Sequence, residues 1–211
     1  MYQNILFDLD GTVTDPGVGI TNSVMYALEK FNIKVTDPAS LYKFIGPPLP
    51  ESFASFYQFD PEQCERAVTY YREYYKEKGI YENVVYPGMD ALLKEIKASG
   101  RNIILATSKP ELFSVEILKH FHLDSYFDFV AGATMDGSRC RKEDIIKYAI
   151  DQCDIQDVTS AVMIGDREYD ISGAKATGMD SIGVLYGYGE AEELAGATYL
   201  AYKAEDIMGF L

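Results

Sequence analysis

Short apolar runs alternate with stretches of helical periodicity along most of the chain. In the helical stretches, apolar residues recur every three or four positions, as Met89, Leu92, Leu93 and Ile96 do. Because the two patterns alternate, the sequence predicts βαβ units with right-handed crossovers, and therefore an α/β fold with a parallel sheet. The runs interpreted as strands are 4–7, 102–108, 127–133, 160–165 and 180–187.

One long segment departs from this alternation. From Pro16 to about Tyr86 the chain shows helical patterns and no convincing strand. We interpret it as an all-helical insertion after the first strand. The expected organisation is a core formed by residues 1–15 and 86–211, with a helical domain formed by residues 16–85.

The composition is typical of a soluble globular protein. Of the 211 residues, 47% are hydrophobic and 25% are charged. No apolar run approaches the roughly 20 residues that span a bilayer, and the N-terminus lacks the basic-then-apolar pattern of a signal peptide. We therefore expect a cytoplasmic protein that has no membrane partner.

The charge balance limits the classes of partner. Nineteen basic and 33 acidic residues give a net charge of -14, which repels polyanions at long range. Nucleic-acid polymers are therefore not expected as partners. A small phosphorylated metabolite is compatible with this charge, because a few cations or a bound metal can dominate the field inside a cleft. The oligomeric state is not predicted.

Cysteine and histidine do not indicate a metal or disulfide framework. Cys64, Cys140 and Cys153 are scattered and form no C-x-x-C pattern, so we expect reduced thiols. His120 and His122 lie near the end of a helical pattern without partner cysteines, which is typical of a solvated helix C-terminus.

Reactive side chains follow several of the predicted strands. Asp8 and Asp10 follow the first, Asp166 follows the run "AVMIG", and Asp170 lies four residues further on. Ligands of open α/β sheets bind beyond the carboxyl ends of the strands, so these carboxylates are expected to converge there. Converging carboxylates repel one another or take up protons unless a cation lies among them. Oxygen-only ligands favour a hard ion, and Mg²⁺ also binds phosphate oxygens.

Four motifs in this order resemble those of the haloacid dehalogenase superfamily of phosphotransferases. They are "DLDGT", "ATSKP", a lysine (Lys142) before a helical pattern, and "GDREYD". The resemblance covers the whole chain, including a helical cap inserted after the first motif. It implies a Rossmann-like core, Mg²⁺, and an enzyme that hydrolyses phosphate monoesters through an aspartyl-phosphate intermediate.

The resemblance assigns the first two carboxylates to separate steps. It makes Asp8 the nucleophile that attacks phosphorus, and Asp10 the acid that protonates the leaving oxygen and then the base that activates water. Asp8, the main-chain carbonyl of Asp10 and Asp166 would hold Mg²⁺. Asp170 is either a further ligand or a support for the ligands.

The resemblance assigns the phosphate to the second and third motifs. Thr107, with Ser108 and backbone N–H groups at a helix start, would hold the phosphate oxygens, and Lys142 would screen the nucleophile and the transferring group. Gly11 would permit close backbone approach, a role compatible with a simple turn glycine.

Two of these assignments have competing candidates. Arg139 and Arg141 lie close enough to Lys142 to compete for the cationic role, and Glu143 follows it where many relatives have proline. Lys142 is favoured because the helical phase of Ile145, Ile146 and Ala149 begins directly behind it. Lys109 is interpreted either as a ligand of the substrate or as a solvated cation at a helix start.

Flanking stretches place the chain near the phosphoglycolate phosphatase-like branch and its 5′-nucleotidase relatives, without identifying the leaving group. They are "DGTVTDPGVGI", "FIGPPL", "ENVVYPG", "DGSR" and "GVLYGYG". Substrate contacts are expected from Thr14, Asp15 and residues 45–49. Asp10 argues against a dehalogenase, which lacks an acid there. A phosphomutase of the same superfamily and a non-catalytic sensor of phosphorylated metabolites remain the alternatives.

Overall fold

The computed structural model describes residues 1–211 and contains a central parallel sheet. Its strands are β1 (Asn4–Phe7), β4 (Asn102–Pro110), β5 (Phe129–Ala133), β6 (Ala161–Gly165), β7 (Asp180–Val184) and β8 (Tyr199–Ala201). Their order across the sheet is β5-β4-β1-β6-β7-β8, and every neighbouring pair is parallel. The α/β prediction is therefore confirmed. A separate two-stranded sheet pairs β2 (Thr14–Asp15) with β3 (Val84–Val85).

Helices alternate with the strands of the large sheet along most of the core unit. They are α4 (Met89–Ala98), α5 (Glu111–His120), α6 (Lys142–Gln152), α7 (Glu168–Thr177) and α8 (Ala204–Ile207). Strand β1 lies between β4 and β6, and the side chains of Ile5, Leu6 and Phe7 are completely buried. Burial on both faces explains why these strands read as continuous apolar runs. The strand order and the parallel pairing place the carboxyl ends of β1, β4 and β6 next to one another.

The chain forms two compact units. One comprises Met1–Asp15 and Val85–Leu211, and the other comprises Pro16–Val84. The second unit contains α1 (Gly17–Glu29), a 3₁₀ helix (Pro38–Phe44), α2 (Leu49–Tyr57), α3 (Pro61–Tyr74) and a π-helical turn (Tyr75–Gly79). An aromatic cluster forms part of its interior, with the rings of Phe53 and Phe59 stacked at 5.9 Å and Phe44 edge-on to Phe53 at 5.1 Å.

The strand predicted over residues 180–187 is shorter in the structure. β7 ends at Val184, and the following segment leaves the sheet. The three-residue strand β8 was not predicted, because so short a segment shows no measurable period. No helix is both long enough and apolar enough to cross a bilayer.

Candidate active site

Asp8 and Asp170 share one buried lysine. Lys142 is the first residue of α6, and its Nζ lies 2.8 Å from Asp8 Oδ1 and 2.7 Å from Asp170 Oδ1. The same ammonium donates a hydrogen bond of 2.9 Å to the carbonyl oxygen of Ala106. Burial by itself would lower the pKa of Lys142, but the Asp170 and Asp8 carboxylates outweigh burial and raise it. Lys142 is therefore a permanent cation that screens both carboxylates.

Three carboxylates form a buried cluster at the carboxyl ends of β1 and β6. Oxygen atoms of Asp8, Asp166 and Asp170 all lie within 4.8 Å of one another, and all three residues are buried. Asp8 continues β1, because its N–H donates to the carbonyl of Ile164 at 2.9 Å. Asp166 follows β6 directly, and Asp170 lies one turn later, in α7. Three of the four carboxylates expected to converge beyond the strand ends therefore lie together in this cluster.

The cluster carries more negative charge than Lys142 compensates. Burial and the neighbouring carboxylates Asp170 and Asp8 raise the pKa of Asp166 well above its ordinary value. Burial also raises the pKa of Asp170, to about 6, against the opposing effect of Lys142. Asp166 Oδ1 is buried without a hydrogen-bond partner. An unpartnered carboxylate oxygen beside two further carboxylates fits a hard divalent cation.

A glycine-rich loop after β7 holds Asp166 in place. The N–H of Tyr188 donates a hydrogen bond of 2.7 Å to Asp166 Oδ2. A Cβ on Gly187 would lie 2.4 Å from Asp166 Cβ, and one on Gly189 would lie 1.8 Å from the Asp166 carbonyl oxygen. Both positions therefore require glycine. Sequence reasoning missed this loop as part of the site, although the repeated "YGYG" was visible.

Gly11 also lies against the Asp166 carboxylate. It has a φ of +83°, and a Cβ there would lie 2.1 Å from Asp166 Oδ2. Its N–H donates to the carbonyl of Thr14 at 2.8 Å, which closes the turn after Asp10. Position 11 therefore requires glycine for two reasons, the geometry of the turn and the close approach to Asp166. Contact of Gly11 with substrate stays a prediction.

Asp10 lies apart from the three-carboxylate cluster and has its own lysine. Its Oδ2 forms an ion pair with Lys109 Nζ, and the two side chains are 13% and 6% exposed. Burial raises the pKa of the Asp10 carboxyl, opposed by Lys109. The interpretation of Lys109 as a solvated cation is wrong, because its side chain is buried within the site.

The remaining predicted residues lie in β4, in β2 and in the second unit. Thr107 is buried, and Ser108 is half-buried. Thr14 and Asp15 form β2, where Asp15 Oδ1 accepts a hydrogen bond from the Tyr188 hydroxyl. Residues 45–49 belong to the other unit. Roles of these residues in substrate binding stay predictions.

The structure separates Lys142 from its two competitors. Arg139 Nε donates to the carbonyl of Gly132 at 3.0 Å, and its guanidinium lies 3.6 Å from the ring centre of Tyr148 and 3.3 Å from Glu111 Oε2. Arg141 is exposed immediately before α6. Of these three cations, Lys142 is the one whose ammonium contacts the carboxylates.

Comparison with known proteins agrees with this geometry. The family model described as haloacid dehalogenase-like hydrolase matches residues 5–184. The chain belongs to this family. This haloacid dehalogenase-like hydrolase superposes on a solved structure from Clostridium acetobutylicum that is described as a predicted phosphatase. The TM-score is 0.96 and the sequences are 49% identical, and the match covers 100% of this chain and 98% of the other.

Two curated relatives of this haloacid dehalogenase-like hydrolase carry different activities in their names. A 5′-nucleotidase from Pseudomonas aeruginosa is 44% identical over 97% of this chain and 92% of the relative. The tyrosine-protein kinase PtkA from Mycobacterium tuberculosis is 36% identical over 90% of this chain, which spans 64% of the kinase. The family predicted from the four motifs is confirmed, and the chain is an enzyme of that family.

Proposed function

We propose that this protein is a Mg²⁺-dependent phosphatase that hydrolyses small phosphate monoesters through a phosphorylated Asp8. The observation that carries the proposal is the division of three carboxylates between two buried lysines. Lys142 contacts Asp8 and Asp170, whereas Lys109 contacts Asp10. Two carboxylates in different environments are what a nucleophile and an acid–base group require.

The first half-reaction transfers the phosphoryl group to the enzyme. The Asp8 carboxylate attacks phosphorus, a bond between an Asp8 carboxylate oxygen and phosphorus forms to give an acyl phosphate, and the bond between phosphorus and the leaving oxygen breaks. Protonated Asp10 gives its proton to that oxygen, so the product leaves as an alcohol. Three oxygen partners fix the ammonium of Lys142 beside the nucleophile Asp8. From this position its positive charge stabilises the negative charge on the transferring group.

The second half-reaction regenerates the enzyme. The Asp10 carboxylate accepts a proton from a water molecule whose oxygen attacks phosphorus. The bond between phosphorus and Asp8 breaks, inorganic phosphate is released, and Asp10 is again the protonated acid. One residue therefore serves both half-reactions.

Mg²⁺ fits the three-carboxylate cluster, and the residues that would hold it are Asp8, Asp166 and the main-chain carbonyl of Asp10. When bound, it supplies Lewis-acid polarisation of the phosphoryl oxygens and neutralises negative charge. Asp166 Oδ1 is buried without a partner, as an open ligand position requires. Asp170 Oδ1 forms an ion pair with Lys142 at 2.7 Å and Oδ2 accepts a hydrogen bond from the N–H of Arg167, so we assign Asp170 to supporting Lys142 rather than to direct ligation.

Residues 16–85 are proposed as a cap that selects the leaving group. The named 5′-nucleotidase relative supports a nucleoside monophosphate as one candidate substrate. The sequence resemblance supports phosphoglycolate as another. Thr107, Ser108 and Gly11 are proposed to bind the phosphate, which is common to both substrates.

A substrate panel tests the proposal. Nucleoside monophosphates, phosphoglycolate, sugar phosphates and an aryl phosphate are incubated with the protein, with Mg²⁺ or with EDTA, and inorganic phosphate is measured. We expect Mg²⁺-dependent release that Asp8→Asn abolishes and that the exposed control Asp90→Asn retains. If wild type and Asp8→Asn are equally inert, the phosphatase proposal fails in favour of the sensor.

The covalent intermediate is tested separately. Asp10→Asn removes the base, so brief incubation with p-nitrophenyl phosphate should leave one phosphoryl group on the protein. Reduction with borohydride converts an aspartyl phosphate to homoserine, which mass spectrometry locates at residue 8.

Isomerised sugar phosphate without inorganic phosphate would instead show a mutase. Phosphate appearing on a tyrosine would support the activity named for the mycobacterial relative.

A further inference from the structure

Lys109 is held in the site by the end of strand β4. The pairing of β4 with β5 shifts register between Thr107 and Pro110, so the strand is irregular where Lys109 lies. The N–H of Lys109 donates to Thr107 Oγ1 at 3.3 Å. The side chain of this lysine is only 6% exposed, and its ammonium reaches a carboxylate 99 residues earlier in the chain.

The contact leaves Asp10 with one occupied oxygen and one open oxygen. Lys109 Nζ pairs with Asp10 Oδ2, while Asp10 Oδ1 is buried without a hydrogen-bond partner. An aspartate carboxylate that is fixed through one oxygen cannot rotate freely about its Cβ–Cγ bond. The second oxygen is therefore held in one direction, as a group that transfers a proton requires.

We propose that Lys109 is a positioning residue that fixes the Asp10 carboxylate through Oδ2 and thereby aims Oδ1 at the oxygen that receives or gives the proton. The proposal rests on the proposed phosphatase function, because it needs the acid–base role of Asp10. Under this proposal, the two buried lysines have different roles. Lys142 acts on the phosphoryl group and its nucleophile, whereas Lys109 acts only through Asp10.

The competing role for Lys109 is direct binding of the transferring phosphate. The two roles predict different dependence on the leaving group. A lysine that binds phosphate assists every substrate equally, since the phosphoryl group is the same. A lysine that positions the acid assists only substrates whose leaving oxygen needs a proton, and p-nitrophenolate leaves as a stable anion without one.

The experiment compares kcat/KM of an alkyl phosphate and of p-nitrophenyl phosphate in wild type and in Lys109→Met. kcat/KM reports the steps up to phosphoryl transfer and so excludes the later attack of water. We expect Lys109→Met to lower kcat/KM for the alkyl phosphate on the order of 100-fold and that for the aryl phosphate only a few-fold. Lys97→Met is the matched control, because Lys97 forms an exposed ion pair with Asp128 in the same unit.

Equal losses for both substrates would overturn the proposal. An inactive wild type would instead refute the proposed function, so the two failures are distinguishable. If Lys109→Met does not fold, the double variant Asp10→Asn/Lys109→Met removes both buried charges together. We expect it to match Asp10→Asn in kcat/KM for the alkyl phosphate, since Lys109 has no acid left to position. A further tenfold loss would show a direct role for Lys109 and contradict the inference.

Discussion

The backbone N–H of Tyr188 donates a hydrogen bond of 2.7 Å to Asp166 Oδ2, and the hydroxyl of the same tyrosine donates to Asp15 Oδ1. One residue therefore joins a carboxylate of the candidate metal site to the strand at which the chain leaves the core unit. The contact requires tight backbone approach, which glycine provides on both sides of Tyr188. The positions of Asp166 and of this loop consequently depend on each other.

Gly187→Ala should weaken metal binding. Its Cβ would lie 2.4 Å from both Asp166 Cβ and the carbonyl oxygen of Gly11, so Asp166 must shift. We expect a loss of about 1–3 kcal/mol in the free energy of unfolding and a rise of roughly tenfold in the Mg²⁺ concentration for half-maximal activity. Denaturant titration and Mg²⁺ titration of activity measure the two effects. Gly209→Ala is the control, because a Cβ there meets no atom within 4 Å. A Gly187→Ala protein with the wild-type Mg²⁺ requirement would contradict the role of the loop in positioning Asp166.

Asp166→Asn should stabilise the metal-free protein while abolishing activity. Burial and two neighbouring carboxylates raise the pKa of Asp166, which means that its charge is unfavourable without a cation. An amide keeps the shape and offers N–H donors to Asp8 and Asp170. We expect Tm in EDTA to rise by about 2–4 °C, equivalent to roughly 1 kcal/mol, and the stabilisation of wild type by Mg²⁺ to disappear. Calorimetry with and without Mg²⁺ measures this, and a lower Tm in EDTA would show that the charge repulsion is already compensated.

The stability of the metal-free protein should rise as the pH falls from about 7.5 to 5. The folded state raises the pKa of Asp170 to about 6 and also raises the pKa values of Asp10 and Asp166, so it binds protons that the unfolded chain, with carboxyl pKa values near 4, does not. The contribution of these groups is present at low pH and is lost as the pH rises through the folded-state values. Tm measured across this range in EDTA tests the sign.

Saturating Mg²⁺ should reverse that dependence, because the ion competes with protons for the same carboxylates. Asp166→Asn should flatten the metal-free profile, since it removes one of the titrating groups. A wild-type Tm in EDTA that falls steadily from pH 7.5 to 5 would contradict the charge arrangement described for the site.

Lys142→Met should damage both folding and chemistry. It leaves Asp8 and Asp170 without their shared cation in a buried site, which costs about 3 kcal/mol in the free energy of unfolding. The loss of charge stabilisation at the phosphoryl group should lower kcat/KM on the order of 100-fold or more for both alkyl and aryl phosphates. Urea titration and steady-state kinetics measure these effects. Lys147→Met on the same helix breaks only an exposed pair with Glu143 and should change neither quantity appreciably.

Much of the fold could be predicted because its signals are local. The strands β1 and β6 are completely buried and most residues of β4 and β5 are buried, and each of the four reads as a short apolar run followed by a helical period. The elements that were missed carry weaker signals. β8 has three residues. The predicted end of β7 lies too far along the chain, because residues 185–187 continue an apolar pattern although the strand ends at Val184 and Gly187 already lies against Asp166.

The sequence by itself determined the order of the chemistry-bearing residues and the location of Asp8 and Asp166 at strand ends, since these two carboxylates directly follow apolar runs. Only the tertiary structure decided which cation neutralises which carboxylate. Lys109 and Lys142 both precede helical patterns, and Arg139 lies nearby in sequence, yet their partners lie far away along the chain. Such pairings are set by strand order and by the register of β4 against β5, which no local period encodes, because ion pairs between distant segments form only once the sheet has brought the strand ends together.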